Sequence, residues 1–213
     1  QGERAVAITD HGTCLKHYEF YKVATANGIK PILGCEFYCG EEDSKEYFHL
    51  IVLAKDNTGL KNMYNLMYLA HKNFYRKPRV RYCDLEKHKE GLIVLSACLG
   101  SETARAFKAG RIDEAINTMK FFKRTFGEDY YLEIQPNSIA LQKDYNLFLE
   151  RAYKELEIEP VITVDSHYIN KDDYEKHDTL LCIQTKKKKT DDDRFKFPSN
   201  DFYIKEEHEV RSE

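Results

Sequence analysis

The alternation of short apolar runs with longer amphipathic segments constrains the fold of this chain more than any other feature. The apolar runs predict six strands, at residues 5–9, 31–38, 48–54, 91–96, 130–135 and 160–164. The amphipathic segments predict five helices, at residues 14–27, 56–74, 111–126, 139–156 and 171–184. Most of the strand runs are continuously apolar, which is typical of strands buried on both faces. Strand–helix alternation of this kind predicts an α/β fold built on a parallel sheet or barrel.

Composition narrows the class of protein. The 213 residues suit one large domain, and 42% hydrophobic content excludes a chain disordered by composition. Because 33 basic residues face 36 acidic ones, any DNA contact has to come from a local patch. No apolar run reaches the roughly 20 residues of a membrane helix. The six cysteines form no C-x-x-C pair, which favours reduced thiols in a cytoplasmic protein over a disulfide framework.

Polar clusters follow the first and the last predicted strands. Thr9-Asp10-His11-Gly12 follows residues 5–8, and Asp165-Ser166-His167 follows residues 160–164. Strand ends are where α/β barrels place their functional side chains. Residues i and i+2 of a strand point the same way, so Asp165 and His167 are expected to project side by side. The alternative for the first cluster is a turn in which Asp10 caps a helix and His11 is merely polar.

Glu36 interrupts an otherwise apolar strand. A buried carboxylate is costly unless it is paired or binds a metal. Strand alternation places Glu36 and Tyr38 on one face, and Cys35 and Cys39 on the other. The alternative is an edge strand that leaves Glu36 in water.

Two further candidate ligands lie in apolar surroundings. His49 opens one predicted strand and Cys98 follows another, and both donor types suit zinc, iron or manganese. His49 departs from the strand-end rule, so a core histidine is an alternative there. A buried thiol is the alternative for Cys98. The other histidines are expected at the surface: His17, His71, His88, His177 and His208.

Together these residues resemble the PHP (polymerase and histidinol phosphatase) family. The family pattern of T-D-H, a strand glutamate, a histidine, a histidine or cysteine, and a late D-x-H is matched in order over nearly the whole chain. More narrowly, AITDHGT, GIKPILGCEFY, HLIVLAKDNTGLKNMYNL, GLIVLSACLGSE and DTLLCIQT are similar to the N-terminal PHP domain of bacterial DNA polymerase III alpha subunits. The family's early H-x-H and the acidic residue after it are absent. We expect them upstream of Gln1, in a chain that looks truncated.

The resemblance implies a fold and a metal site. The fold is a distorted TIM-like (β/α)7 PHP barrel, incomplete at the N-terminus because its first strand is missing. Residues 1–185 would form the metal-binding barrel, and residues 186–213 an exposed charged loop and the start of the connection to a polymerase core. Two or three divalent metals (zinc, manganese or iron) are implied, with magnesium for the polymerase core. The implied ligands are His11, Glu36, His49, Cys98, Asp165 and His167, with Asp10 orienting the site and Asp10, His11, Asp165 and His167 as catalytic residues.

The function that the resemblance implies belongs to a larger parent protein. That parent is a cytoplasmic DNA-directed DNA polymerase, whose PHP domain would act as a metal-dependent phosphoesterase with 3′–5′ exonuclease activity. Through the parent, its partners would be DNA, a proofreading subunit and a sliding clamp, with no membrane. Two alternatives remain: a free-standing phosphoesterase of the histidinol-phosphatase type, and a non-catalytic scaffold that docks a proofreading subunit. Activity of this piece alone is left open.

Overall fold

The computed structural model describes residues 2–212 of the chain. Gln1 and Glu213, the outer ends of the two predicted domains, lie outside the described residues. Within that range the chain forms eight α-helices: α1 His17–Ala26, α2 Asn57–Lys72, α3 Tyr82–Lys87, α4 Glu102–Lys108, α5 Ile112–Phe126, α6 Ala140–Leu156, α7 Tyr174–Thr185 and α8 Glu207–Ser212.

The same residues form eight strands: β1 Ala5–Ile8, β2 Lys30–Cys39, β3 Phe48–Ala54, β4 Phe74–Tyr75, β5 Lys77–Val80, β6 Leu92–Leu95, β7 Tyr130–Ile134 and β8 Pro160–Ile162. They make one sheet in the order β4-β5-β2-β3-β6-β7-β8, with β1 paired to β2. The α/β class is therefore confirmed, with all six predicted strands and all five predicted helices present. The hairpin of β4 and β5 and the short helices α3, α4 and α8 were not predicted.

The sheet is mixed rather than parallel, so the parallel-sheet expectation is wrong at β3 and at the short edge strand β4, which runs antiparallel to β5. β3 runs antiparallel to both of its neighbours, β2 and β6. β1 and β5 run parallel to β2, and β7 runs parallel to β6. Residues 40–47 connect β2 to β3 without a helix. A parallel return needs a crossover of a dozen residues or more, so this short connection turns β3 back on β2.

The two faces of the sheet are both packed. One face carries the cluster of Ile51, Leu95 and Ala97, with Leu53, Ile93, Tyr131 and Val161 packed against it. Alternate residues on the opposite face are also buried: Cys35, Phe37, Val52, Val94 and Leu132. Helix α2 packs against β3, β5 and β6, and contributes Met63, Leu66 and Ala70 to the core. Burial on both faces explains the continuously apolar strand runs.

The chain divides into two compact units by contact density. The first comprises Gln1–Glu133 with Arg151–Val161, and the second Ile134–Glu150 with Ile162–Glu213. The division predicted at residues 185 and 186 stays a prediction. Across residues 2–212, no helix has both the length and the apolar character that a membrane crossing requires.

The close approach of α2 to the start of β6 generates a stability prediction. A Cβ added to Gly59 would lie 1.7 Å from the carbonyl oxygen of Gly91, so Gly59→Ala has to push α2 away from the sheet. We expect the free energy of unfolding to fall by about 2–3 kcal/mol, as for overpacked cores. Urea denaturation would measure this, with the exposed Asn65→Ala in the same helix as the matched control. A Gly59→Ala variant as stable as Asn65→Ala would contradict the packing described.

Candidate metal centre

The parallel register of β1 and β2 places His11 opposite Glu36. Ile8 pairs with Leu33, and the same offset continues past the end of β1 to a bridge between His11 and Glu36. The backbone is fixed on both sides of this bridge, because Glu36 N–H donates to the Asp10 carbonyl (3.1 Å) and Gly12 N–H donates to the Glu36 carbonyl (2.9 Å). The T-D-H segment is therefore held against β2 by sheet hydrogen bonds rather than by a free loop.

The reversed direction of β3 brings His49 to the same edge of the sheet. Tyr38 pairs with His49 and Glu36 pairs with Ile51, so residue 49 lies near the carboxyl end of β2. Residues of equal parity in this pairing share a face, which places Glu36, Tyr38 and His49 side by side. A histidine at the start of an antiparallel strand thus occupies the position that a strand end would occupy in a parallel one. β6 runs opposite to β3, so Cys98, three residues beyond its end, reaches the same edge.

Four side chains meet at this edge. The Nδ1 atoms of His49 and His11 lie 2.6 Å and 3.4 Å from the Oε1 and Oε2 atoms of Glu36. Cys98 Sγ lies 3.4 Å from His49 Nδ1 and 3.8 Å from Glu36 Oε1. One ligand atom each from His11, Glu36 and His49 lies within 4.8 Å of the others. The structure thereby brings together four of the six predicted ligands, all in the first compact unit.

The donor set fits a divalent transition metal. Glu36 is only 4% exposed, and the imidazoles of His11 and His49 lie beside its carboxylate. Metal bonds of about 2.0–2.2 Å separate two ligands of one ion by about 3–4 Å, close to the spacing of these atoms. Imidazole, carboxylate and thiolate donors suit zinc, manganese and iron. His49 Nδ1 and Glu36 Oε1 are at hydrogen-bond distance and would have to separate slightly around an ion.

Tyr38 forms a wall of the cluster and lies on the face that strand alternation predicted for it. Its ring stacks on His11 (centroids 5.8 Å apart) and meets His49 edge-on (5.4 Å). Burial, reinforced by the charge of Glu36, raises the pKa of Tyr38 to about 12, so the hydroxyl stays protonated. A Cβ on Gly12 would lie 2.9 Å from this ring, so the turn after His11 requires glycine both for this contact and for its φ of +60°.

The backbone of Gly100 forms hydrogen bonds with both His49 and Cys98. Its carbonyl accepts from the His49 N–H (3.1 Å), and its own N–H donates to Cys98 Sγ (3.4 Å). A Cβ at this position would lie 2.8 Å from His49 Nδ1. The glycine of the CLGSE segment therefore leaves room for the imidazole.

Asp10 directly precedes the residue that bridges to Glu36. If the extended backbone of β1 continues through Asp10, alternation predicts its side chain on the side of the sheet opposite Glu36. There its charge acts on Cys14 and His17. Its contribution at the cluster is the backbone carbonyl that accepts from Glu36. An orienting or catalytic role for the Asp10 carboxylate stays a prediction.

Asp165 and His167 lie in the second unit, beyond the end of β8 at Ile162. Their side chains lie side by side, as predicted, with His167 Nδ1 3.9 Å from Asp165 Oδ1, but strand alternation is not the reason, because Asp165 adopts a left-handed φ of +49°. The two residues are nevertheless neighbours: His167 Nδ1–H donates to the Asp165 carbonyl at 2.8 Å. This hydrogen bond fixes the neutral tautomer, with the lone pair on Nε2, as backbone carbonyls do for metal-binding histidines. Their role as ligands stays a prediction.

Of the histidines expected at the surface, His17 is buried and His177 is half-buried. The ring centroid of His177 lies 5.7 Å from that of His167, and its Nδ1 is buried without a hydrogen bond. Burial, and then the neighbouring His167, lower the pKa of His177. His17 is only 3% exposed. The seven-residue spacing of His17 and Ala24, both buried on α1, was a signal for His17. No comparable sequence signal marks His177.

Comparison with known proteins identifies the class. The PHP domain family model matches residues 1–137, and the chain belongs to the PHP domain family. This membership confirms the distorted TIM-like barrel class that the resemblance implied.

The curated relatives of the chain share one name. The chain is 40% identical to "DNA polymerase III subunit alpha" of Borreliella burgdorferi over 96% of its length. Its identity to the proteins of that name from Thermus aquaticus and Deinococcus radiodurans is 39% over 98% and 37% over 97%. The predicted resemblance is confirmed. The chain spans 19%, 18% and 16% of the lengths of these three relatives, respectively.

The position of Gly100 predicts how metal binding depends on the His49 ring. Gly100→Ala should displace the imidazole and weaken Zn²⁺ or Mn²⁺ binding by about tenfold or more, as other changes to residues that orient metal ligands do. Competition with a chelating dye would measure the affinity, and Lys108→Ala, exposed on the adjacent helix α4, is the control. Unchanged affinity in a folded Gly100→Ala variant would show that His49 does not bind the ion.

Proposed function

We propose that this chain is the PHP domain of a bacterial DNA polymerase III alpha subunit, and that it binds divalent metal ions for phosphoester hydrolysis. The observation that carries the proposal is the cluster of His11, Glu36 and His49, whose donor atoms lie within 4.8 Å of one another around a buried carboxylate. The similarity to three alpha subunits over nearly the whole chain supports the assignment to that protein.

Within this proposal His11, Glu36 and His49 hold one ion and Cys98 supplies a fourth donor. Glu36 contributes the negative charge that balances the cation, and its backbone is fixed by sheet hydrogen bonds on both sides. His11 is the most open member, with 40% of its side chain exposed, against 20% for His49. Substrate would therefore approach from the His11 side. Asp165 and His167 are further proposed ligands, for which the family pattern is the support.

The chemistry follows from the donors. When bound, a divalent ion lowers the pKa of a coordinated water and stabilises charge on phosphodiester oxygens. The chain's own residues prepare the site for this role. The Tyr38 ring shields one side of His11 and His49, and Gly100 fixes the backbone beside His49 and Cys98. In the intact protein we propose a 3′–5′ exonuclease that acts on a primer end.

The wider role is that of the parent polymerase. We propose a cytoplasmic DNA-directed DNA polymerase that contacts DNA, a proofreading subunit and a sliding clamp, with magnesium at its own polymerase site. The names of the curated relatives support the replication assignment. Two or three ions of zinc, manganese or iron are proposed for the PHP domain itself.

Conservative changes in the cluster test metal binding and hydrolysis together. Glu36→Gln keeps the shape of the side chain but removes the anionic donor, and His49→Asn removes the imidazole. Each should lower the metal content of the purified chain, measured by elemental analysis, and reduce chelator-sensitive release of 3′ nucleotides by the intact protein about 100-fold or more. The matched controls are Glu150→Gln and His71→Asn, both exposed on helices.

Two results would separate the parts of this proposal. Full metal content and full activity in Glu36→Gln would overturn the metal site. Bound metal with no chelator-sensitive nucleotide release in the unchanged protein would overturn the exonuclease and leave a structural metal domain. Retained activity after replacing Asp165 and His167 with alanine would remove those two residues from the catalytic site.

A further inference from the structure

The hairpin of β4 and β5 continues along the edge of β2 where the T-D-H segment leaves it. His11 forms a bridge to β2, and two residues farther along that strand Tyr38 pairs with Arg79 of β5. The two segments touch at this point, because a Cβ on Gly12 would lie 3.2 Å from the Cγ atom of Pro78. The hairpin therefore lies beside the open, His11 side of the metal cluster and in the same compact unit.

Strand alternation directs Lys77 to the face that carries the cluster. Residues 77 and 79 of β5 share a face, and Arg79 pairs with Tyr38, whose ring forms a wall of the cluster. The Lys77 ammonium accordingly lies 5.2 Å from the centroid of the Tyr38 ring, which also stacks on His11. One aromatic ring thus contacts both a proposed metal ligand and a lysine.

Residues 72–79, here called the basic hairpin, carry positive charge that no carboxylate balances. Within residues 2–212, no carboxylate lies at ion-pair distance from any of its four cations, Lys72, Arg76, Lys77 and Arg79. Each cation lies over an aromatic ring instead, 5.2–5.5 Å from its centroid. In the loop before β3, Glu42 pairs with Arg81 rather than with any of these four. Because the net charge of the chain is close to balanced, a DNA contact needs a local patch of this kind.

Arg79 is unusual among these cations because it is only 2% exposed. Its guanidinium donates to the Ser44 carbonyl and lies against the Tyr75 ring. Its Nε is buried and has no hydrogen bond to any described residue. A buried cation without an anion is costly, and an anion bound beside the hairpin would balance its charge.

The tip of the hairpin exposes a cation and an aromatic ring close together in sequence. Arg76 is exposed and adopts a left-handed φ of +61°, which few residues other than glycine and asparagine favour. The Phe74 side chain is 59% exposed. Cations for the phosphates and exposed rings for the bases are the two components that single-stranded nucleic acid sites combine.

We propose that the basic hairpin binds the single-stranded DNA whose 3′ end enters the metal cluster, with Lys77 on the phosphate nearest His11 and the Phe74 ring stacked on a base. Lys72 and Arg76 bind further phosphates of the strand. The proposal rests on the function proposed above and deepens it by naming the element that holds the substrate. Contacts to phosphates and to the face of a base carry no sequence information, so binding is independent of sequence.

Oligonucleotide binding tests the charges of the hairpin. Fluorescence anisotropy of a labelled single-stranded oligonucleotide would measure the Kd of the full chain, with chelator present so that no metal contributes. Replacing Lys72, Arg76 and Lys77 together with glutamine should raise the Kd about tenfold or more. The slope of log K against log salt should become shallower by about 2, since each lost phosphate contact removes about 0.7.

A second triple variant is the matched control for charge. It replaces three exposed cations of helices α4 and α5 with glutamine: Lys108, Lys120 and Arg124. Arg124 also lies over an aromatic ring, that of Phe121, so the control removes the same kind of contact. It should leave the Kd unchanged. Equal losses of affinity in the two triple variants, or no binding by the unchanged chain, would overturn the proposal.

The stacking contact is tested by Phe74→Ala. Loss of the ring should weaken oligonucleotide binding about fivefold or more. Phe195→Ala is the control, because Phe195 is also 59% exposed. The same Kd for Phe74→Ala and Phe195→Ala would overturn the assignment of the stacked base to Phe74.

Metal content separates this proposal from the metal site. The Lys72, Arg76 and Lys77 variant should keep the metal content of the unchanged chain, and in the intact protein it should raise the KM for chelator-sensitive nucleotide release. Glu36→Gln should do the opposite, losing metal but binding the oligonucleotide in chelator with the same Kd. Retained metal in Glu36→Gln would count against the metal site alone. Unchanged oligonucleotide affinity in the hairpin variant would overturn the role of the basic hairpin and leave the metal site standing.

Discussion

The burial of the Glu36 carboxylate between two imidazoles is the interaction on which this account depends. Removing a carboxylate from water costs several kcal/mol unless charge or hydrogen bonds compensate for it. Here its partners include His11 and His49, with Cys98 close by. A buried carboxylate beside three side chains that commonly bind metals is the arrangement expected where a bound cation balances the negative charge. The remaining features of the site keep these atoms in place.

The direction of β3 explains why the donors converge. β1, β2 and β6 all end at one edge of the sheet, and β3 begins there because it runs the other way. On the face of the sheet that carries Glu36, the side chains change from apolar, at Leu53 and Ile93, to polar, at Tyr38 and His49. The same strand, β2, presents Glu36 to the metal cluster and buries Cys35 on its opposite face.

The sequence predicted the strands and the cluster better than it predicted their geometry. Apolar runs located six strands because burial on both faces leaves a strong signal, and alternation alone placed Glu36 and Tyr38 together. The sequence did not reveal that β3 runs antiparallel to β2. His49 therefore looked like an exception to the strand-end rule, although the start of β3 lies at the edge of the sheet where β2 ends. Local conformation was also missed: a left-handed Asp165 breaks the alternation assumed for Asp165 and His167. The partial burial of His177 depends on contacts with Phe197 and His167, distant in sequence, and no local pattern records them.

The most direct test of the central claim is to locate the ion. Anomalous diffraction from crystals of the chain grown with Zn²⁺ or Mn²⁺ should show a peak about 2.0–2.2 Å from a Glu36 carboxylate oxygen and from ring nitrogens of His11 and His49. A peak elsewhere, with Glu36 still hydrogen-bonded to His49 and no ion beside it, would contradict the account.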